Sequence, residues 1–276
     1  MANSRNLTII EPKSGWQPID WKELWRYKDL FYFLVWRDVK TRYAQSVLGI
    51  GWAVIQPIFS MIVFTIVFGK LAKINSDGVP YAIFSYTALV PWTYFSGALT
   101  GASGSLLGAS GMMTKVYFPR LIIPMAPVMS KLIDFGIAFV ILLLMMAYFG
   151  FMPSIQIIYL PLLILIMMIT ASGMGMWLTA MAVKYRDINY AMSFFLQLLM
   201  YAAPVVYPAS IIPEPFRLIY GCFPMVGVIE GFRSILLKTN PMPWDLIGVG
   251  SIVACFLFIS GAFYFRRMEK YFADVA

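Results

Sequence analysis

The sequence predicts an all-α integral membrane protein with six transmembrane helices, and two observations lead to that fold class. Charged residues make up only 12% of the 276 residues, about half of the roughly 25% typical of soluble domains, and the mean hydropathy is +0.77. The charges are also clustered, so that long uncharged intervals separate them. Each interval can hold a helix of about 20 residues, the length that crosses the hydrocarbon layer. The intervals are 43–69, 78–114, 135–183, 188–213 and 246–265.

Six spans fit into these five intervals. The interval 135–183 is too long for one helix, and the sequence YFGFMPS divides it. Gly150 and Pro153 in that sequence mark a tight turn, which predicts a helical hairpin. Helices are expected because every backbone polar group in lipid must find a partner inside the protein. The predicted spans are 48–69, 83–107, 126–149, 156–183, 188–206 and 246–265.

The distribution of Lys and Arg orients these spans. Most of the 21 Lys and Arg residues lie before the first span, after the second, between the fourth and fifth, and in the tail. Such residues accumulate on the cytoplasmic side of a membrane, so both termini are predicted to be cytoplasmic. Residues 1–47 then form a cytoplasmic amino-terminal region, 48–265 the six-helix transmembrane domain, and 266–276 a cytoplasmic tail. The first 47 residues contain no apolar run typical of a signal peptide, so the amino terminus is expected to be retained.

An amphipathic helix is predicted from Asp20 onward, before the first span. Aromatic and aliphatic residues recur at roughly helical spacing between Trp21 and Val39, and charged residues fill most of the other positions. A helix of this kind suits the inner headgroup layer of a membrane. An ordinary juxtamembrane helix explains the same pattern equally well.

Short re-entrant helices are predicted in the external region 207–245, between spans five and six. This region carries six prolines and is too apolar for a purely aqueous loop. Non-helical backbone at membrane depth is tolerated where protein or a cavity covers it. Within it, the sequence PMVGVIEGFRSIL contains the candidate site residues Glu230 and Arg233.

Two features inside the spans have both a structural and a functional interpretation. Lys131 and Asp134 are three residues apart near the inner end of the third span and can pair on one helix face. We favour a structural pair, although ionisable residues in spans are often functional. Glycines four residues apart predict close helix packing, with the smoothing of a conduit wall as the alternative. These glycine pairs are Gly97 with Gly101 and Gly104 with Gly108.

The composition disfavours several classes of function. The chain has no histidine and only two cysteines, which argues against a catalytic metal or a histidine relay. It has no Gly-rich phosphate loop followed by Lys and Ser or Thr, so we expect it neither to hydrolyse ATP nor to hold a cofactor. The net charge of +8 indicates anionic lipid headgroups, not nucleic acid, as partners. The spans also lack the central carboxylates that ion-coupled transporters use.

Five motifs follow one another from about Arg37 to the external region. They are RDVKTRYAQSVLGIGWAVIQP, PWTYFSGAL, KVYFPRLIIP, KYRDI and PMVGVIEGFRSIL. Their residues and order resemble the permease subunits of ABC transporters that export polysaccharides, including the O-antigen, capsule and teichoic-acid exporters. One departure is visible, because Phe223-Pro224-Met225 stands where the family often has Asn-Pro-Met.

The resemblance implies a homodimer of permeases bound to two copies of a separate ATPase, which would hold ATP and Mg. It places the chain in the bacterial cytoplasmic (inner) membrane and implies a cargo of glycan linked to polyprenyl diphosphate. A cytoplasmic coupling helix would dock on the ATPase through Lys115, Tyr117, Phe118 and Arg120. Arg186 and Asp187, in KYRDI, would make a further cytoplasmic contact.

The resemblance also implies an aromatic lining in the outer half of the conduit. The residues at matching positions are Phe64, Phe68, Trp92, Tyr94 and Phe95. Aromatic faces pack weakly on sugars and would let a chain slide. The residues alone favour an interfacial aromatic belt, whereas the resemblance favours the conduit.

Two other functions are open at this level. A related permease could export small hydrophobic drugs or lipids, and a membrane assembly or scaffold protein would transport nothing. An integral membrane enzyme fits poorly, because histidine and clustered membrane carboxylates are absent from the sequence.

Overall fold

Helices form almost the whole of the structure, a computed structural model that describes residues 21–44, 49, 51–113, 117–185, 187–269 and 272. Strands are absent from these residues. The helices are α1 (Trp21–Arg26), α2 (Lys28–Ala44), α3 (Gly51–Phe64), α4 (Tyr81–Gly108), α5 (Ser110–Met113), α6 (Ile122–Phe149), α7 (Leu160–Lys184), α8 (Asp187–Ala202), α9 (Glu214–Gly221), α10 (Pro224–Leu237) and α11 (Trp244–Met268). A π-helix, Thr65–Leu71, continues α3, and 3₁₀ helices cover Ile155–Tyr159 and Ala209–Ile211.

The six predicted spans coincide with six helices, within a few residues at each end. Four of them are long and apolar enough to cross a membrane: Gly51–Leu71, Ile122–Phe149, Ile155–Lys184 and Trp244–Met268. Helix α4 has sufficient length and no charged residue, but its hydroxyl groups and glycines lower its hydropathy. Helix α8 has only 16 residues, fewer than the roughly 20 that a perpendicular crossing needs. The structure thus confirms an all-helical membrane protein with four candidate spans.

A fifth candidate span is the bent pair of α9 and α10 in the predicted external region. These two helices meet at 108°, and Pro224 begins the second of them. Every residue of α10 is buried, which explains why the sequence of this region is too apolar for a loop. Short helices are thus present in this region, while their re-entrant course stays a prediction.

Helix α4 lies at the centre of the fold. It contacts α3, α6, α7, α8 and α10, and most of its residues from Tyr81 to Leu106 are buried. Gly101 brings it close to α6, because a Cβ atom there would lie 2.9 Å from the Cβ of Pro127. Close packing is thus confirmed for Gly101. It is not found at Gly104 and Gly108, where an added Cβ would meet no atom within 4 Å.

The amino-terminal helices α1 and α2 lie against the inner end of α6. Leu34 is buried with Ile122 and Ala126 of α6. The predicted separation of an apolar from a polar face is not found in α2, because its apolar residues lie on all sides of the helix. Tyr32 and Trp36 are exposed, where lipid or a partner could cover them.

Helices α7 and α11 approach each other closely at two glycines. A Cβ atom on Gly173 would lie 2.6 Å from backbone atoms of Leu257 and Phe258, and one on Gly261 would lie 2.5 Å from the carbonyl oxygen of Gly173. Trp177 strengthens the same contact, since its indole N–H donates to Ser260 over 3.1 Å. Backbone atoms cannot move away as a side chain can, so this contact requires glycine.

The Gly173→Ala variant should therefore be destabilised, by about 1–3 kcal/mol if it behaves like other overpacked sites. The measurement is thermal unfolding of the purified protein in detergent. Gly248→Ala is the matched control, because it lies in α11 and an added Cβ would meet no atom within 4 Å. Equal unfolding temperatures for the two variants would contradict the close contact.

Candidate functional site

The prediction of a coupling helix is wrong for residues 117–120. Lys115, which was also predicted to belong to it, lies outside the described residues. Residues 117–119 are not helical, and Arg120 and Leu121 form a turn that leads directly into α6. The reason is Pro119, which has no N–H to donate and disfavours the helical conformation in the residue before it. A short helix, α5, precedes this segment instead. Residues 117–121 are called the docking segment below.

Two of the predicted ATPase contacts in the docking segment face the protein itself. Phe118 is only 4% exposed and packs in a cluster with Leu121, Val183 and Phe265. The guanidinium of Arg120 donates to the carbonyl oxygen of Glu269 over 2.7 Å. These two side chains therefore hold the segment in place in this conformation.

Within the docking segment, the side chain of Tyr117 is the exposed one. It is 61% exposed, and its hydroxyl donates to a carboxylate oxygen of Glu23 in α1 over 3.2 Å. Partial burial and the Glu23 carboxylate raise the pKa of Tyr117 above its ordinary value, so the phenol is protonated at neutral pH. Tyr117 can thus offer an aromatic face to a partner.

The second predicted cytoplasmic contact lies at the junction of α7 and α8. Arg186 lies outside the described residues. Asp187 is the first residue of α8 and is exposed, next to the half-exposed Tyr185. A carboxylate at a helix amino terminus is electrostatically favourable, which is a structural explanation for Asp187 beside the predicted one.

A cluster of charged residues joins α2 to the inner part of α6. Lys131 pairs with Asp134 at 2.7 Å, which confirms the predicted pair. Arg42 from α2 reaches the same carboxylate at 2.9 Å, and the hydroxyl of Tyr43 also donates to it. Burial, followed by this hydrogen bond, raises the pKa of Tyr43 to about 12. Two cations and one phenol therefore share one carboxylate.

A cavity of about 370 Å³ lies beside this cluster, between α2, α4 and α6. Its polar lining includes Arg37, Thr41, Arg42 and Ser105, and the glycines Gly104 and Gly108 form part of its wall. This position explains why those two glycines make no close helix contact. A role of these two glycines in a conduit wall stays a prediction.

A second cluster, called the outer cluster, lies at the helix ends that the sequence predicts to face outward. It is centred on Arg233, which is fully buried. Its guanidinium pairs with Glu230 at 2.8 Å. It also donates to the carbonyl oxygens of Val205 and Tyr207, over 3.0 and 3.2 Å, and lies 3.6 Å from the centre of the Phe84 ring. Three segments of the chain meet at this one side chain: α10, α4 and the residues that follow α8.

The backbone after α8 depends on this outer cluster. Three successive carbonyl groups, those of residues 205, 206 and 207, each accept from a buried side chain, with Tyr81 donating to the middle one over 2.6 Å. The Glu230 carboxylate accepts from the N–H of Ala209 over 3.1 Å. Unpaired backbone groups are costly when buried, so this cluster permits α8 to end where it does.

The predicted conduit aromatics divide into two groups. Trp92, Tyr94 and Phe95 are 4%, 1% and 0% exposed and form part of the main core. They also lie near the middle of α4, about 16–21 Å from its outer end at a rise of 1.5 Å per residue, and not in its outer part as predicted. Their burial shows that they pack the core in this conformation.

Phe64 and Phe68 form the other group, on α3 and its π-helical continuation. Their ring centres are 5.5 Å apart, which confirms that they share a face. Both are partly exposed, so they can still contact a cargo. Their role as conduit residues stays a prediction.

Sequence analysis missed the distant partners of several candidate residues. Glu23, Glu269 and Tyr207 each contact a candidate residue more than 20 positions away, and Tyr81 joins the cluster around Arg233 through the carbonyl of Val206. No local spacing indicates such contacts; for Glu269 the only signal was its place in the charged tail FRRMEKYF. In the described part of the chain, no three His, Cys, Asp or Glu side chains lie close enough to hold a metal ion.

Comparison with known proteins gives a consistent match over most of the chain. The family described as ABC-2 type transporter matches residues 29–237. The O-antigen export system permease protein RfbA of Myxococcus xanthus is 26% identical over 91% of this chain and 96% of its own length. The protein of the same name from Klebsiella pneumoniae is 24% identical over 90% and 95%. The polysialic acid transport protein KpsM of Escherichia coli is 19% identical over 84% and 91%.

Replacing Arg233 should be among the most destabilising single changes in the outer region. The Arg233→Met variant leaves the Glu230 carboxylate buried without its cation, which typically costs about 3–5 kcal/mol. Thermal unfolding in detergent measures the loss. The matched control is Arg217→Gln, since Arg217 pairs with Asp245 at 2.8 Å but both side chains are about half exposed, and such pairs contribute about 0–1 kcal/mol.

A double variant, Arg233→Met with Glu230→Gln, removes the unpaired charge and should recover part of the lost stability. A single Arg233→Met variant that unfolds at the temperature of the Arg217→Gln control would show that the buried pair does not hold the outer region together.

Proposed function

Because the chain belongs to the ABC-2 type transporter family, we propose that it is the membrane-spanning permease subunit of an ATP-driven polysaccharide exporter. The observation that carries this proposal is the alignment with an O-antigen export permease over 91% of this chain and 96% of that relative. The cargo would be an O-antigen, capsule or teichoic-acid type glycan on polyprenyl diphosphate. The drug or lipid permease and the scaffold are not favoured, because the similar relatives are named for export or transport of polysaccharide.

ATP hydrolysis belongs, in this proposal, to a separate ATPase that binds ATP and Mg. The cytoplasmic surface that would receive it consists of the exposed Tyr117 with α1 beside it. Aromatic side chains are frequent anchors in protein interfaces. Asp187 would extend the same surface, whereas Phe118 and Arg120 would support it from within. Lys115 and Arg186 are proposed as further ATPase contacts from the sequence alone.

A homodimer is proposed because two apolar helices are poorly covered by their own chain. Only Pro57 is buried in α3 and only Met192 in α8, although both helices contact α4. Lipid could cover these helices, but a conduit requires a wall on its second side. A second copy would supply that wall, with Phe64 and Phe68 facing the cargo at its outer end.

Six crossings of the inner membrane are also proposed, with α4 and α8 as spans and both termini cytoplasmic. Helix α4 carries no charge, and it lies at the centre of the helices that do qualify as spans. Helix α8 is short, and the outer cluster satisfies the backbone at its end. The pair of α9 and α10 would then be re-entrant from the outside, where Glu230 and Arg233 lie.

Cysteine labelling tests this topology. In a background without Cys222 and Cys255, single cysteines replacing Ala72, Met152 or Asn240 should react with a membrane-impermeant reagent added outside intact cells. A cysteine replacing Tyr185 should react only after the cells are opened. Outside labelling at position 185 would rule out the six-span arrangement.

A binding and transport experiment tests the function. The purified chain should bind the ATPase subunit encoded with it, and polyprenyl-diphosphate-linked glycan should stimulate ATP hydrolysis by the complex. Tyr117→Ala should weaken ATPase binding, because it removes the exposed aromatic residue of the docking segment. Tyr148→Ala is the matched control, since Tyr148 is 85% exposed at the other end of α6.

The outcomes separate the proposals. Stimulation by a hydrophobic drug and not by glycan would favour the small-molecule permease. A chain that binds no ATPase at all would favour the scaffold and contradict the proposed function.

A further inference from the structure

The residues that follow α11 meet the docking segment at two points. Arg120 contacts the main chain and carboxylate of Glu269, and Phe272 lies in the buried cluster that contains Phe118. We propose that Glu269 and Phe272 position the docking segment, so that the carboxyl-terminal tail sets how the ATPase subunit binds. This inference rests on the proposed function, because it assumes that an ATPase binds there. In this proposal the tail contributes to coupling. Arg120 and Phe118 contribute indirectly, because they connect the docking segment to the tail.

The polar half of this contact joins Arg120 to Glu269. One guanidinium nitrogen donates to the Glu269 carbonyl oxygen over 2.7 Å, and another lies 3.9 Å from its carboxylate. The side chains of Arg120 and Glu269 are 24% and 37% exposed. Arg120 is thus directed at the tail, with little of its surface free for another protein.

The apolar half joins Phe272 to Phe118 through one cluster. Phe272 is only 2% exposed, and its ring packs edge-on against Phe265 with 5.2 Å between ring centres. Phe118, Leu121 and Phe265 belong to the same buried cluster. The tail therefore covers one side of the cluster that holds the docking segment in place.

The docking segment has little regular structure of its own, so side-chain contacts decide its position. It precedes the helix, and Pro119 cannot donate a backbone hydrogen bond. Its first turn is closed by Ile122 and Ile123, which donate to the carbonyls of Pro119 and Arg120. On its other side, Tyr117 contacts Glu23 in α1, which leaves the exposed face of Tyr117 between α1 and the tail.

This arrangement differs from direct docking in a way that can be measured. If Arg120 and Phe118 themselves bound the ATPase, changes in the tail would leave binding unaffected. If they act by holding the segment, changes in the tail should weaken binding even though Tyr117 and Arg120 are both present.

The test titrates the full-length detergent-purified chain with the ATPase subunit encoded with it. Glu269→Arg should repel Arg120, and Phe272→Ala should open the buried cluster. Each should lower the apparent affinity on the order of tenfold, which corresponds to about 1.4 kcal/mol. Hydrogen exchange of the amides in 117–123 should rise in both variants before any ATPase is added.

Two matched controls separate positioning from a general loss of charge or stability. Asp29→Arg makes the same change in charge at an exposed position of α2. Phe135→Ala removes a buried phenylalanine from the main core and should lower the unfolding temperature. Neither should change ATPase affinity per folded molecule or exchange in 117–123.

The possible failures are distinguishable. Wild-type affinity in Glu269→Arg and Phe272→Ala, with weakened binding in Tyr117→Ala, would overturn the positioning role and leave the docking proposal intact. Equal losses in the two controls would show only a general effect and would also overturn it. A wild-type chain that binds no ATPase would overturn both proposals together.

Discussion

The outer half of this protein depends on the hydrogen bonds and the ion pair that the buried guanidinium of Arg233 makes. An apolar environment offers no partners to backbone groups, so a helix cannot simply stop within it. Arg233 and Tyr81 supply donors to the carbonyls that follow α8, and Glu230 supplies the acceptor. Because the same guanidinium rests on Phe84 of α4, the end of α8, the buried α10 and the central helix are fixed relative to one another. A buried pair of this kind costs desolvation energy, and its many hydrogen bonds offset that cost.

The half that we propose to be cytoplasmic has the opposite balance of burial and exposure. Its ion pairs, centred on Asp134 and on Arg120, are partly exposed, and its docking segment lies between two short terminal elements. Partly exposed contacts are weaker and can rearrange more readily than buried ones. A firmly held outer region and an adjustable inner one would suit the proposed exporter, in which the ATPase binds on the cytoplasmic side.

The packing of glycines links these two halves. Close contact at Gly173 and Gly261 locks α11 onto α7, and α11 in turn contacts α10 at its outer end. Helix α11 thus runs from the Arg233 region to the tail that contacts the docking segment. By contrast, α3 and α8 bury few of their residues, which leaves them as the surfaces available to lipid or a second copy.

The sequence by itself determined that the protein is helical and lies in a membrane, and its six predicted spans agree with helices of the structure within a few residues at each end. The length of an apolar stretch and the spacing of charges are properties of a short part of the sequence. The uncharged interval Phe135–Val183 therefore predicted a helical hairpin, and the spacing of Lys131 and Asp134 predicted their pairing. Pro119 is another local signal, because proline disfavours the helical conformation in the residue before it. The coupling helix implied by the resemblance nevertheless included the residues up to Arg120.

Only the tertiary structure decided which side chains face inward. Phe118, Arg120 and Trp92 belong to residue types that suit a partner or a cargo, yet each is engaged by residues distant in sequence, as Arg120 is by Glu269. The same holds for Arg233, whose partners outside α10 come from two other segments, α4 and the residues that follow α8. Burial depends on what the rest of the chain places against a residue, and helical spacing specifies a face without specifying what covers it.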